Sequence, residues 1–89
     1  MFKTNTMTYA GFQMTFANGW TVSVQWGLGT YSDNRYSDFR ARAESKTAEI
    51  AAWDADGKWH TFVGAYEDTV KGWCSPDEVA EFIHFISTK

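Results

Sequence analysis

The chain has little of what most metal-binding and catalytic sites require. Its 89 residues include one cysteine and two histidines, so an intrachain disulfide is excluded and a zinc site of the usual Cys and His composition is disfavoured. The formal net charge is only -3, which argues against a general nucleic-acid binder, since such proteins gather Lys and Arg on one face. The sequence therefore predicts no metal, no cofactor and no general nucleic-acid binding.

Long apolar runs are also missing. The N-terminal segment 1–11 contains Lys3 and no apolar run, and no later stretch approaches the length that spans a bilayer. We therefore expect a cytoplasmic protein with no membrane partner, in a reducing compartment that a single cysteine fits. The length predicts a single domain, residues 1–89, with a modest core.

Aromatic residues, in contrast, are abundant: five Trp, four Tyr and seven Phe. The clearest pattern among them is a hairpin over 12–26 with the turn Ala17-Asn18-Gly19. A three-residue loop, with Gly19 in the left-handed conformation, pairs Phe16 with Trp20. One face of the hairpin is then apolar and is assigned to packing: Phe12, Met14, Phe16, Trp20, Val22, Val24 and Trp26. The other face is polar but uncharged: Gln13, Thr15, Thr21, Ser23 and Gln25.

That uncharged face leaves two interpretations open. Charged residues normally prevent exposed strand edges from pairing with each other. Because this hairpin face has none, one expectation is a homodimer that forms through the first hairpin by extension of the sheet. The alternative is a face that is simply solvated.

A second hairpin is predicted over 48–63, around Ala55-Asp56-Gly57. A three-residue loop places Asp54 opposite Lys58, Trp53 opposite Trp59 and Ile50 opposite Phe62. A two-residue Asp-Gly turn is the alternative.

The C-terminal segment predicts a helix. Ser75 is a favourable N-cap, Pro76 suits the first helical position, and Glu78 completes a capping box. An apolar stripe follows at helical spacing: Val79, Phe82, Ile83 and Ile86. With a short strand at 69–73, we predict an α+β fold: an antiparallel sheet of four to five strands, built from two hairpins and covered on one face by the helix. A partly open small barrel plus helix is the alternative.

The long connection 27–46 is the predicted functional region, because structureless connections of this length are uncommon in compact domains. It contains two similar segments, 31–35 and 36–40, each running from Tyr to Arg, and interfaces favour both residue types as anchors. The predicted partner-binding residues, which include one exposed Trp, are Tyr31, Asp33, Arg35, Tyr36, Arg40 and Trp73. The alternatives are a surface loop held by Asp–Arg pairs and a strand over 39–44.

Other chemically capable residues have simpler structural explanations. Gly27-x-Gly29 lacks the third glycine of a dinucleotide fingerprint, and Asp54-x-Asp56-Gly57 lacks the distal Glu of a calcium loop. His60 and His84 have no ligand at metal-binding spacing, and His84, off the apolar stripe, should be solvated. Cys74 is predicted to pack beside the helix cap as a hydrophobic staple rather than to react. No catalytic residue is predicted.

Three segments carry a family resemblance: Phe-Ala-Asn-Gly-Trp-Thr-Val-Ser-Val-Gln-Trp-Gly at 16–27, Tyr-Ser-Asp-Asn-Arg at 31–35 and Ala-Glu-Ile-Ala-Ala-Trp-Asp at 48–54. The sequence resembles small uncharacterised proteins encoded by bacteriophages. The resemblance implies the cytoplasm of an infected bacterium as the setting, and no activity or functional residue is carried over from it.

Two classes of function are therefore expected. The first is a small non-enzymatic interaction protein that binds a host or phage protein through the 27–46 connection, for example to modulate a host process or a defence system. The alternative is a small-ligand or nucleotide-binding module, or a minimal enzyme, with a cleft under the same connection. Its polar groups are Asp33, Asn34, Arg35 and Asp38.

Overall fold

The computed structural model describes residues 1–4, 9–27, 30–33, 44–63 and 68–89. In these ranges the chain forms five strands and one helix: β1 (Phe2–Thr4), β2 (Tyr9–Thr15), β3 (Thr21–Gly27), β4 (Ala48–Trp53), β5 (Lys71–Cys74) and α1 (Pro76–Ser87). All neighbouring strands are antiparallel, and they lie in the order β1-β2-β3-β4-β5 in one open sheet with α1 against it. The predicted α+β fold is confirmed. The barrel alternative is wrong, because β1 and β5 end the sheet without pairing to each other.

The first hairpin has the predicted register. Met14 lies opposite Val22, and the Phe16 N–H donates to the Trp20 carbonyl at 2.8 Å, which closes a three-residue loop. Gly19 has a φ of +88°, the left-handed conformation that this loop requires of its last residue. The turn chemistry therefore sets which side chains of β2 and β3 face α1.

The core forms between the apolar face of the sheet and the apolar side of α1 that faces it. The helix contributes Phe82 and Ile86, both buried, while Val79 and Ile83 pack partly buried beside them. The sheet contributes a mixture of branched and small side chains: Val22, Val24, Ala48, Ile50, Ala52 and Cys74. The alanines of β4 bring little bulk, so α1 can pack close to this strand.

The start of α1 follows the predicted capping box. The Glu78 N–H donates to Ser75 Oγ at 3.2 Å, and the Ser75 N–H donates to Glu78 Oε1 at 3.2 Å. That backbone hydrogen bond from Ser75 is the main reason that the pKa of Glu78 is lowered. The cap fixes the point at which the chain leaves β5 and enters the helix.

The prediction for the second hairpin is confirmed only near the turn. The Asp54 N–H donates to the Lys58 carbonyl at 2.9 Å, and Trp53 bridges to Trp59. The predicted pairing of Ile50 with Phe62 is wrong, because Ile50 lies opposite Lys71 of β5.

The reason is that the chain after residue 60 packs on α1. The His60 and Phe62 rings lie 5.6 and 5.2 Å from the Phe82 ring, measured between centroids. Phe62 also bridges to Asp68 instead of Ile50, and β5 takes the free edge of β4. The strand predicted at 69–73 is therefore present as Lys71–Cys74, and it, rather than 58–63, extends the sheet.

The polar face of the first hairpin is less exposed than a solvated face. Thr21 and Ser23 are buried, Thr21 shares a hydroxyl hydrogen bond of 2.9 Å with Thr15, and Gln25 Nε2 donates to Ser23 Oγ at 3.1 Å. Both strands of this hairpin also have neighbours within the chain, since β2 pairs with the unforeseen β1 and β3 pairs with β4. Extension of the sheet by a second copy would therefore take place at β1 or β5.

Asn18 joins the hairpin turn to the end of α1. Its Nδ2 donates to the Ile86 carbonyl at 2.9 Å, with longer contacts to the carbonyls of Ser87 and Lys89, while its Oδ1 accepts the Trp20 N–H at 3.0 Å. The amide thus satisfies carbonyls that the helix end leaves without intrahelical partners.

We expect Asn18→Ala to lower the free energy of unfolding by about 1 kcal/mol, the usual net value of such a hydrogen bond. Asn18→Asp should cost more, because it removes the donors and places a negative charge at the negative end of the helix dipole. Urea unfolding followed by tryptophan fluorescence measures both. Equal stability of the aspartate variant and the wild type would show that the contact is dispensable.

Candidate functional site

Tyr31 and Trp73 form an exposed aromatic pair, although 42 positions separate them in the chain. Their ring centroids lie 5.6 Å apart and the rings are inclined at 36°. The side chains keep 43 % and 54 % of their surface exposed. An exposed pair of this kind is unlike Phe12 of β2 and Trp26 of β3, which pack against the core. We call it the Tyr31–Trp73 pair.

Trp73 lies in an irregular part of β5. The register between β4 and β5 shifts between Ala48 and Ile50, and Trp73 has a φ of +51°, the single positive φ of a non-glycine residue in the described ranges. Its backbone N–H donates to the Tyr31 carbonyl at 2.7 Å. The bulge thus holds the backbone of Trp73 against the 30–33 segment.

Gly72 makes room for Tyr31. A Cβ atom on Gly72 would lie 2.4 Å from the Tyr31 Cβ and 2.9 Å from the Tyr31 carbonyl oxygen. No side chain fits at these distances, so the close approach of the two segments requires glycine at this position.

Buried polar side chains hold the 30–33 segment in place. Thr30 and Ser32, on either side of Tyr31, are buried, and their hydroxyls lie 2.7 Å apart. Thr30 Oγ1 also donates to the Gly27 carbonyl at 2.7 Å. Tyr31 therefore points outward from a segment whose neighbouring side chains point inward.

Two contacts, one with β4 and one with the residue before it, complete the attachment. The Tyr31 N–H donates to Glu49 Oε2 at 2.7 Å, and the Asp33 N–H donates to Thr47 Oγ1 at 2.9 Å. Glu49 lies opposite Gln25, on the face of the sheet away from α1. The pair is thus held at the β4–β5 side of that face.

Of the six predicted partner-binding residues, the structure brings Tyr31 and Trp73 into contact and places Asp33, exposed, two residues from Tyr31. Arg35, Tyr36 and Arg40 lie outside the described residues, as do Asn34, Asp38 and most of the alternative strand over 39–44. Sequence reasoning missed the supporting residues: Thr30, Ser32, Glu49 and Gly72. The small hydroxyl residues on either side of Tyr31 could have indicated that the segment is anchored by its neighbouring side chains. No pattern near Glu49 or Gly72 in the sequence indicated their roles.

Two cavities flank α1 on the other face of the sheet. The first, of about 380 Å³, lies between the helix, the β2–β3 hairpin and residues 44–48. The second, of about 300 Å³, is bounded by the His60, Phe62 and Phe82 rings and by charged side chains, among them Glu81. Asp33, expected to line a ligand cleft, lines neither cavity.

Two titratable side chains that line these cavities, His60 and Cys74, are shifted toward their neutral forms. Burial lowers the pKa of His60, and the nearby Lys89 charge lowers it further. Burial raises the pKa of the Cys74 thiol, which keeps it protonated and agrees with packing rather than reactivity. His84 is exposed, as predicted. In the part of the chain that the structure describes, no three His, Cys, Asp or Glu side chains are grouped to hold a metal ion.

No helix in the described ranges combines the length and apolar character needed to cross a bilayer.

No family model, no curated protein and no solved structure matches this chain.

Proposed function

We propose that this chain is a small protein-binding module without catalytic activity, and that the Tyr31–Trp73 pair, with Asp33 beside it, contacts the partner. The observation that carries the proposal is the conformation of Trp73, which combines a left-handed backbone with a side chain 54 % exposed. A bulky residue in this conformation costs about 1–3 kcal/mol, and such strain is concentrated at functional sites.

Burial within the chain does not explain that strain, because the indole stays largely in solvent. A partner surface that covers both rings would recover free energy from their burial, and the rings are already in place before binding. Preformed aromatic anchors on a rigid sheet lose little conformational entropy, which is why Trp and Tyr dominate binding hot spots.

The proposed partner is a protein of the host bacterium or of the phage, following the resemblance of the sequence to small phage-encoded proteins. In this setting the module acts in the bacterial cytoplasm and modulates a host process or a defence system. Arg35, Tyr36 and Arg40, which lie outside the described residues, are further proposed contact residues on the basis of their type. A second copy of the chain is the other partner to be tested, and light scattering at high concentration distinguishes it.

We expect Trp73→Ala and Tyr31→Ala each to weaken binding by roughly 30-fold, which corresponds to a hot-spot loss of about 2 kcal/mol. Immobilised wild-type protein captures partners from bacterial lysate, mass spectrometry identifies them, and titration of the purified partner gives the affinities. The matched control is Trp59→Ala: Trp59 is also exposed, at 44 %, and also packs on another ring, Trp53, at 4.9 Å.

The control variant should bind like the wild type. Capture of the same proteins, at the same affinity, by wild type and by the Trp73 and Tyr31 variants would refute the assignment. A triple variant, Arg35→Ala, Tyr36→Ala and Arg40→Ala, measures how far the surface extends along the connection.

A further inference from the structure

The larger cavity beside α1 is independent of the Tyr31–Trp73 pair. Its walls come from the helix-facing side chains of the sheet and from the flank of α1, whereas Tyr31 is held by Glu49 on the opposite face of the sheet. A function for this cavity therefore goes beyond the proposed binding of a protein partner.

The cavity is apolar and large for so small a protein. Its apolar lining includes Phe12, Val24, Trp26, Val79 and Ile83. Its volume of about 380 Å³ lies in the range of pockets for small molecules, and it opens to solvent along the flank of α1. The space between the sheet and this flank of the helix is thus accessible to a ligand.

One polar group in these walls lacks a partner. The Trp26 Nε1–H is buried, and none of the atoms that the structure describes accepts its hydrogen. A buried donor without an acceptor is rare in folded proteins and costs free energy. Trp26 also lines the cavity, so an acceptor brought into it would recover that free energy if the indole ring turned its Nε1–H toward the acceptor.

The charges around the cavity favour an uncharged occupant. Among the described residues of the lining, Glu44 and Lys46 carry opposite charges and the other side chains carry none. Cys74, in the wall, stays a neutral thiol because burial raises its pKa. A charged ligand would lose its hydration here without meeting a net opposite charge.

We infer that this cavity binds a small neutral molecule with an apolar body and one carbonyl-type oxygen, which accepts the hydrogen bond of Trp26 Nε1–H. The apolar body fills the space between Phe12 and Ile83, and the oxygen gives the ligand its orientation.

Three probes of equal chain length test this inference: 2-heptanone, heptanoate and heptane. Nuclear magnetic resonance of ¹⁵N-labelled protein follows the Trp26 indole signal, which Trp26→Phe identifies by its loss. We expect saturable binding of 2-heptanone that moves this signal, with an affinity at least 10-fold higher than that of heptanoate. Trp26→Phe should weaken 2-heptanone binding about 5-fold and change heptane binding by less than about 2-fold, because heptane accepts no hydrogen bond.

A second pair of variants checks the location. Ala80→Phe places a ring at the edge of the cavity and should weaken 2-heptanone binding at least 10-fold, whereas His84→Phe, exposed on the same helix and outside the lining, should leave it unchanged. Failure of all three probes to move the Trp26 signal would overturn the inference, as would an equal change of 2-heptanone and heptane affinity in Trp26→Phe. Neither result bears on capture of a protein partner, so the two proposals fail separately.

Discussion

Replacing Ile86 with alanine is expected to lower the free energy of unfolding by about 2–5 kcal/mol. Ile86 is completely buried in the cluster that joins α1 to β3 and β4, so the substitution removes apolar contact and leaves a cavity between layers that cannot close without moving the helix. The carbonyl of the same residue accepts the Asn18 hydrogen bond, so a shift of the helix end also weakens the contact with the hairpin turn.

Urea unfolding monitored by tryptophan fluorescence measures this loss, and calorimetry should show a fall in Tm of about 4–8 °C for each kcal/mol. Ile86→Val should lose only about 0.5–1.5 kcal/mol, because it removes a single methylene. His84→Ala, on the exposed side of the helix, should stay within about 0.5 kcal/mol of the wild type. A loss for Ile86→Ala no larger than that for Ile86→Val would contradict the placement of Ile86 at the centre of the core.

The parts of the fold that could be predicted from the sequence are those determined by local chemistry. Gly19 supplies the left-handed residue that closes the first hairpin, and this fixes the register between β2 and β3. Ser75 and Glu78 cap α1 as their spacing indicated. In each case the residues that determine the structure lie within a few positions of each other, so the pattern is visible in the sequence.

The predictions that are wrong concern contacts between segments that are distant in the sequence. The alternation of apolar and polar residues over 58–63 predicts a strand with Phe62 opposite Ile50. In the structure the Phe62 ring packs on Phe82 of the helix, and β5 takes the edge of β4. Which of two apolar segments pairs with a given strand edge is decided by the total burial of both, and alternation alone does not measure that.

The candidate site shows the same division. Tyr31 and Trp73 could be selected as interface residues by type, but their contact depends on a bulge in β5 and on the absence of a side chain at Gly72. A glycine in a short strand has several explanations, and only its distance to Tyr31 distinguishes close backbone approach from the others.

Gly72→Ala is therefore expected to have the largest effect of any change at the site. The new Cβ would lie 2.4 Å from the Tyr31 Cβ and 2.9 Å from its carbonyl oxygen, and the second of these atoms is backbone that cannot rotate away. The 30–33 segment must separate from β5, which breaks the hydrogen bond from the Trp73 N–H to the Tyr31 carbonyl. Overpacking of this kind costs about 1–3 kcal/mol and the lost hydrogen bond about 1 kcal/mol more, so we expect a loss of about 3 kcal/mol in the free energy of unfolding.

Urea unfolding measures the stability, and Lys71→Ala is the matched control in the same strand. Lys71 forms an ion pair of 3.5 Å with Glu78, but both side chains are about half exposed, so its removal should cost less than about 1 kcal/mol. If Gly72→Ala stays folded, partner capture should fall to the level of Trp73→Ala, because the two rings no longer form one surface. Wild-type stability of Gly72→Ala would show that the two segments do not approach as closely as described. Wild-type capture by a destabilised Gly72→Ala would show that the partner binds elsewhere, since the strain at Trp73 and the contact with Tyr31 depend on the same close approach.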